Sequence, residues 1–249
     1  MISIENVDTF GWRGAIRGMR NPMNSWDKSD SSFIVDGEFY DILGSGGPAS
    51  PNEKDGDMVL GSNDLELMKK LIAAGTEHRK FLRMIHVQMD VVAPLYWWKE
   101  YDTYKVGTVA NSCSTMHKIA EKEFVADDFS HEHLLNGLDH TYPAENLFTA
   151  INVDGYKCYY SPEGLLNMIC EVLNHYRKLY LETKDKKCWW QMIQLLPSSY
   201  NQRRTIDINY EVALNIIRQR TGHKLDEWHV FIDELMKLSC MEEFVKCLS

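Results

Sequence analysis

The run Asn111-Ser112-Cys113-Ser114-Thr115 gathers small polar residues whose backbone N–H groups and hydroxyls can be brought close to a ligand. It follows an apolar, Trp-rich stretch from Ala93 to Trp98, and that order predicts a helix leading a binding loop out of a core. Towards the C-terminus, Asn215, Ile216, Gln219 and Arg220 recur at a spacing that shares one helix face. Near the start, Arg13, Arg17 and Arg20 also fall at nearly helical spacing. One of them meeting a phosphate is the functional reading, and a short solvated helix is the simpler one. His131, Glu132 and His133, with His140, Asp127 and Asp128, carry metal-ligand chemistry. His-x-His spacing does not place two imidazoles on one helix face, as i,i+4 would, so a solvated acidic loop and no metal are expected. Gly44-Ser45-Gly46-Gly47 lacks the following Lys-Ser and the strand-to-helix setting of a phosphate-binding loop.

Composition narrows the class. A chain of 249 residues, 44% apolar and 25% charged, buries a full core and fits one domain with a peripheral insertion. The formal charge of −9 argues against a nucleic-acid polymer or an anionic membrane surface as partner, because such surfaces are bound by clustered Lys and Arg. The cysteines, Cys113, Cys158, Cys170, Cys188, Cys240 and Cys247, form no CxxC pair, so reduced thiols are expected rather than a structural zinc site. No apolar run approaches the roughly 20 residues that span a bilayer, and no charged-then-apolar leader opens the chain. A soluble, cytoplasmic protein is the expectation.

The elements that must position these residues are legible from period and caps. Residues 34–43 read as a strand, and 44–60 as a mobile loop rich in Gly, Pro, Ser and Asp. Ser62 or Asn63 caps a helix that stops at Gly75, with Leu65, Met68, Leu71 and Ile72 inward. Residues 78–92 alternate as a core-crossing strand in which His86 is a hydrogen-bonded histidine. Residues 163–184 form a long amphipathic helix with Leu165, Ile169, Val172, Leu173, Tyr176 and Tyr180 on its buried side. A further helix closes at Pro197, an extended piece covers 203–209, and helices complete the chain.

Two pieces of this chain carry a family pattern. In the first, the apolar helix Ala93–Trp98 is followed by Lys99, Glu100 and Tyr101, and then by Asn111-Ser112-Cys113-Ser114-Thr115-Met116-His117. In the second, Leu196-Pro197 precedes an ungapped run from Asp207 to Arg220. Together, over roughly a quarter of the chain, they resemble the flavin-dependent thymidylate synthases of the ThyX type. Asn111 and Ser114 match that family's Asn-Glu-x-Ser-x-Arg-Tyr, while Pro197, Asn209, Asn215 and Arg220 match its second motif at the same spacing. Lys99-Glu100-Tyr101 stands where the family has Arg-His-Arg, and Ile193 and Glu211 stand where it has arginines. The wording of 93–118 is similar to ThyX-like proteins of phages and prophages.

The resemblance implies an α+β ThyX-like fold, a central and mainly antiparallel sheet with flanking helices, in a single domain over 1–249. It implies methylation or hydroxymethylation of a pyrimidine deoxynucleotide, dUMP or a relative, at carbon 5. FAD, methylenetetrahydrofolate and NADPH are the cofactors it implies, and a homotetramer the assembly. By residue, Arg220 would donate to the pyrimidine, Ser114 and Arg203 would contact the nucleotide, and Lys99, Asn111, Asn209 and Asn215 would contact the flavin. The substitutions at Lys99, Glu100, Tyr101, Ile193 and Glu211 motivate an alternative, a nucleotide-binding or interaction protein of the same fold without catalysis. Glu211 is the sharpest of them, since an uncompensated carboxylate beside a pyrophosphate costs on the order of 1 kcal/mol or more.

Overall fold

From Ile85 to Ala93 the alternate residues Ile85, Val87, Met89, Val91 and Ala93 are all essentially buried, and this period-two pattern builds the central strand. The structure is a computed structural model that describes residues 2–35, 38–43, 58–136, 148–151, 155 and 157–248. In chain order the elements are β1 (Ser3–Phe10), α1 (Trp12–Arg20), β2 (Ser32–Val35), β3 (Glu38–Asp41), β4 (Met58–Val59), α2 (Ser62–Ala73), β5 (His86–Pro94) and α3 (Leu95–Tyr101). They continue as β6 (Thr108–Ser112), α4 (Thr115–Lys118), β7 (Phe148–Ile151), β8 (Lys157–Tyr160), α5 (Pro162–Thr183), α6 (Lys186–Leu195), β9 (Asn201–Asn209), α7 (Tyr210–Arg220), α8 (Asp226–Met236) and α9 (Met241–Lys246).

The main sheet has the order β1-β5-β9-β6; β3-β2-β4 and β7-β8 form smaller sheets whose pairings are antiparallel. The α+β class, an antiparallel sheet flanked by helices, is the one the sequence predicts. The chain divides into two compact units: residues 1–2, 92–100 and 112–203 make one, and 3–91, 101–111 and 204–249 the other. Among the described residues no helix is long and apolar enough to cross a membrane.

In the first unit, α5 and α6 pack over a cluster of Ile119, Phe124, Phe129, Leu166, Cys170, Leu173 and Met192. Trp97 and Trp98 of α3 are fully buried, and burial of each ring contributes about 4–6 kcal/mol as an upper estimate. Trp98 Nε1 donates to the Gln202 carbonyl at 2.9 Å, and Leu95 N and Tyr96 N donate to the carbonyls of Tyr200 and Ser198. This ties the Trp-rich helix to the start of β9.

In the second unit, Trp12, Tyr210 and Phe244 meet edge to face, with centroids 5.2 Å apart for Trp12–Tyr210 and 6.3 Å for Tyr210–Phe244. Gly11, at φ +96°, lies against the Met84 carbonyl so closely that a Cβ would collide with it.

Several expectations shift. Arg20 is not on a solvated face: it is 3% exposed, its Nε donates to Asp64 at 2.6 Å, and its other nitrogens donate to the carbonyls of Ser25 and Lys28. The remaining Asp64 oxygen accepts from the hydroxyls of Ser29 and Ser31, so this buried pair is fully satisfied. The cap of α2 comes from neither Ser62 nor Asn63. Asp30 accepts from the backbone N–H groups of Asn63 at 2.9 Å and Asp64 at 3.1 Å. Desolvation would raise the Asp30 pKa, but these backbone bonds and the Ser62 hydroxyl outweigh it and hold the carboxyl below its ordinary value.

Residues 34–43 are a hairpin of two short strands rather than one, and the first part of 78–92 is a 3-10 turn, Lys80–Met84. On α5 Leu173 is buried and Ile169, Tyr176 and Tyr180 pack against the core cluster, as expected, whereas Leu166 and Cys170 are buried beside them and Val172 is exposed. His86 is hydrogen-bonded as expected, to Asp207 at 2.8 Å, though 39% exposed. Residues 44–57 of the expected mobile loop lie outside the described residues, as does His140.

Candidate functional site

Each unit presents a polar recess, and the two are built differently. In the first unit Cys113, Ser114, Thr115 and Lys118 face Tyr200, Asn201, Gln202 and Arg203 across a cavity of about 90 Å³. Ser114 is exposed and caps the short α4, its Oγ accepting from His117 N at 3.2 Å. The opposite wall is held by backbone pairing, Cys113 N to the Arg203 carbonyl at 2.9 Å. Gln202 Nε2 reinforces it by donating to the Cys113 carbonyl and the Thr115 hydroxyl, both at 3.0 Å. A cavity this size is well below the roughly 300–1,000 Å³ of drug-sized ligand pockets. Arg203, Lys118 and Ser114 place a guanidinium, an ammonium and a hydroxyl in its lining. Lys118 also pairs with Glu121.

In the second unit Thr103, Tyr104, Lys105, Val106, Val212, Asn215 and Gln219 line a recess of about 330 Å³. Asn215 and Gln219 share the α7 face that looks into it, while Ile216 is fully buried, so the expected four-residue face splits. Arg220 is clamped between aromatics: its guanidinium lies 4.7 Å from the Trp228 ring centroid and 5.6 Å from that of Tyr104, and its Nε donates to the Tyr104 hydroxyl at 3.0 Å. Tyr104 in turn donates to Gln219 at 3.0 Å.

Asn209 and Glu211 have structural employment. Asn209 is buried, and its Oδ1 caps α7 by accepting from Val212 N at 3.0 Å. Its amide packs under Gly107, at φ +78°, where a Cβ would come within 2.5 Å of Asn209 Nδ2. Glu211 is 10% exposed at its side chain and paired with Arg79 at 3.3 Å and with Arg83. That pairing answers the electrostatic objection raised by the sequence, because the carboxylate is already neutralised by two guanidinium groups. The Arg83 pKa is accordingly raised, first by its hydrogen bond to Glu211 and then by the charge of Glu211. Arg204, another cation of the second motif region, is bound to Asp102 at 2.8 Å.

Of the remaining expected residues, Lys99 is exposed on α3 in the first unit, and Asn111 is exposed on β6, an edge strand of the main sheet. The structure thus brings Ser114 and Arg203 to one recess and places Asn215 at another. Arg220 belongs to the second unit and Ser114 to the first. Lys118, Gln202, Tyr104 and Lys105 went unnoticed in the sequence. Lys118 alone had a local signal, four residues after Ser114 at helical spacing. Among the described residues no group of His, Cys, Asp and Glu is placed to hold a metal ion; His131 Nδ1 instead meets the Phe129 carbonyl at 2.8 Å.

No family model and no curated protein matches the sequence. Solved structures do. The crystal structure of thymidylate synthase X (ThyX) from Helicobacter pylori with FAD and dUMP aligns at TM-score 0.57 and 17% identity, covering 100% of this chain and 98% of that one. The chain has the ThyX fold. A second H. pylori ThyX structure, complexed with FAD and dUMP, aligns at TM-score 0.58, covering 98% of this chain and 100% of that one. The UMP/dUMP methylase PolB from Streptomyces cacaoi bound with 5-Br dUMP aligns at TM-score 0.52 and 12% identity, covering 100% of this chain and 93% of that one.

Proposed function

We propose that this ThyX-fold chain is an enzyme that transfers a one-carbon group to carbon 5 of a pyrimidine deoxynucleotide, dUMP or a close relative, giving a methyl or hydroxymethyl product. The observation that carries the proposal is the shared recess of Ser114 and Arg203. Ser114 stands at the family's serine position, and the recess has the size and donors for a nucleotide phosphate. Arg203 supplies a fork for two phosphate oxygens, Lys118 a point charge, and Ser114 an O–H. The full-length likeness to structures described with FAD and dUMP supports the same ligand class.

The cofactor set proposed with it is FAD, methylenetetrahydrofolate and NADPH. The donor set fits FAD in part. Asn215 and Lys105 line the 330 Å³ recess of the second unit and offer an amide and a cation to a polar, anionic cofactor. Glu211, paired internally, does not oppose it. Asn209 is withdrawn from direct contact by its cap and its burial, while Lys99 and Asn111 stay available as exposed donors. When bound, reduced FAD would supply the two electrons that take the transferred carbon unit to a methyl group, whereas a hydroxymethyl product would need none. The chain's own task is to orient the nucleotide and polarise its ring. Arg220, its plane fixed by Trp228 and Tyr104, is the proposed donor to the pyrimidine. A homotetramer is the proposed assembly, with the exposed Met168 and Val172 of α5, one turn apart, as an apolar contact.

A second reading, nucleotide binding without catalysis, is favoured by Asn209 and Glu211, whose polar atoms serve the fold. Tritium release from 5-tritiated dUMP, with the three cofactors supplied, separates the two. Release, together with rescue of a thymidine auxotroph that Arg203→Ala abolishes, supports the enzyme. Binding of dUMP without release or rescue supports the alternative.

A further inference from the structure

A separate groove of the first unit has no part in the function proposed above. It encloses about 560 Å³, within the range of small-molecule sites, and is walled by Met116, Tyr180 and Trp189 with His117, Lys184 and Lys186 at its polar positions. Its apolar floor is Ile119 and Ala120, both buried. Among the described residues no carboxylate lines it, in a chain whose formal charge is −9.

Three features set the groove for a ligand. The Trp189 ring is pinned, its Nε1 donating to the Met116 carbonyl at 3.2 Å, so an aromatic wall stands ready without loss of rotamer freedom on binding. The Lys184 ammonium lies 5.7 Å from the Tyr180 ring centroid, which holds that charge at the aromatic wall, and the Lys186 ammonium lies 5.8 Å from the centroid of Trp190, a ring outside the groove's lining. Lys184 also occupies the left-handed C-cap of α5, φ 56° and ψ 18°, a position that favours glycine. A lysine kept in that conformation gives up backbone ease and gains a cation at the mouth of the groove.

We propose that this groove binds a planar aromatic anion, its ring against Trp189 and Tyr180 and its negative group at Lys184 and Lys186. The groove and the Ser114 recess share Ile119, but the proposed contacts, Trp189, Tyr180, Lys184 and Lys186, line the groove alone and have no part in the catalytic proposal. Adenosine 5′-monophosphate is the probe, since it joins a flat heterocycle to a dianion, with adenosine and inorganic phosphate as its two halves. Titration of the full chain, followed by tryptophan fluorescence and calorimetry, should show adenosine 5′-monophosphate binding at least about tenfold more tightly than either half. Lys184→Gly should weaken it about fivefold, the worth of one lost charge contact, while the melting temperature stays level or rises because glycine relaxes the cap. Trp189→Leu should weaken it about tenfold, and Arg203→Ala should leave it unchanged. The proposal is overturned by equal affinity for adenosine and its monophosphate, or by unchanged affinity in Lys184→Gly. It is equally overturned by loss of binding in Arg203→Ala, which would place the probe in the Ser114 recess.

Discussion

The patches 111–118 and 209–220 match the family pattern about equally well in sequence, yet the structure uses them in opposite ways. In the first, Ser114 and Lys118 are exposed and line a recess, each with one local partner, His117 N for the hydroxyl and Glu121 for the ammonium. In the second, Asn209 and Glu211 are buried and committed, one to a helix cap and the other to two arginines. A residue at the expected spacing thus stays accessible to a ligand only where the fold leaves it exposed. Desolvation explains the split: a buried amide or carboxylate must be paired within the fold, and once paired it has little left to offer a ligand.

The contrast is tested most strongly at Glu211. Its replacement by Ala leaves Arg79 buried opposite no charge, and we expect a loss of about 3 kcal/mol or more in urea unfolding. A loss below about 1 kcal/mol would mean that the carboxylate is not structural and would return it to the candidate site. Next in size is Arg203→Ala, for which we expect about 10- to 100-fold weaker dUMP binding, or roughly 1.4–2.7 kcal/mol, by calorimetry. Its unfolding free energy should move by no more than about 0.5 kcal/mol. Unaltered affinity would remove the phosphate role from the recess.

Asn209→Ala should cost about 1–2 kcal/mol of stability through the lost α7 cap, with Asn209→Asp recovering much of it. The smallest effect on folding belongs to Ser114→Ala, about 0.5 kcal/mol or less, because the helix it caps is four residues long and exposed. Its effect should appear as weaker dUMP binding. If Asn209→Ala weakened binding with no change in stability, the assignment of roles to the two patches would be reversed.

Much of the architecture could be read locally. The inward stripe of α2 held at Met68 and Ile72, α6 ends before Pro197, and β5 follows its alternation from Ile85. These are short-range terms, set within a turn or two by period, propensity and breakers, and a single sequence displays them. On α5 the expected stripe is found at Ile169, Leu173, Tyr176 and Tyr180, but Leu166 and Cys170 replace Val172 on the inner side, since apolar residues on both sides of a stripe leave its edge to whatever packs against it.

What the amino-acid order determined by itself was the set of elements, the apolar tryptophan helix and the exposed polar run after it. Tertiary structure alone decided which charges are spent. Arg20 found Asp64 at a separation of 44 residues, Glu211 found Arg79 at 132, and Asp30 reached the N-terminus of a helix 33 residues on. Such pairings depend on which distant side chains packing buries side by side, and the cost of leaving a buried charge alone then fixes them.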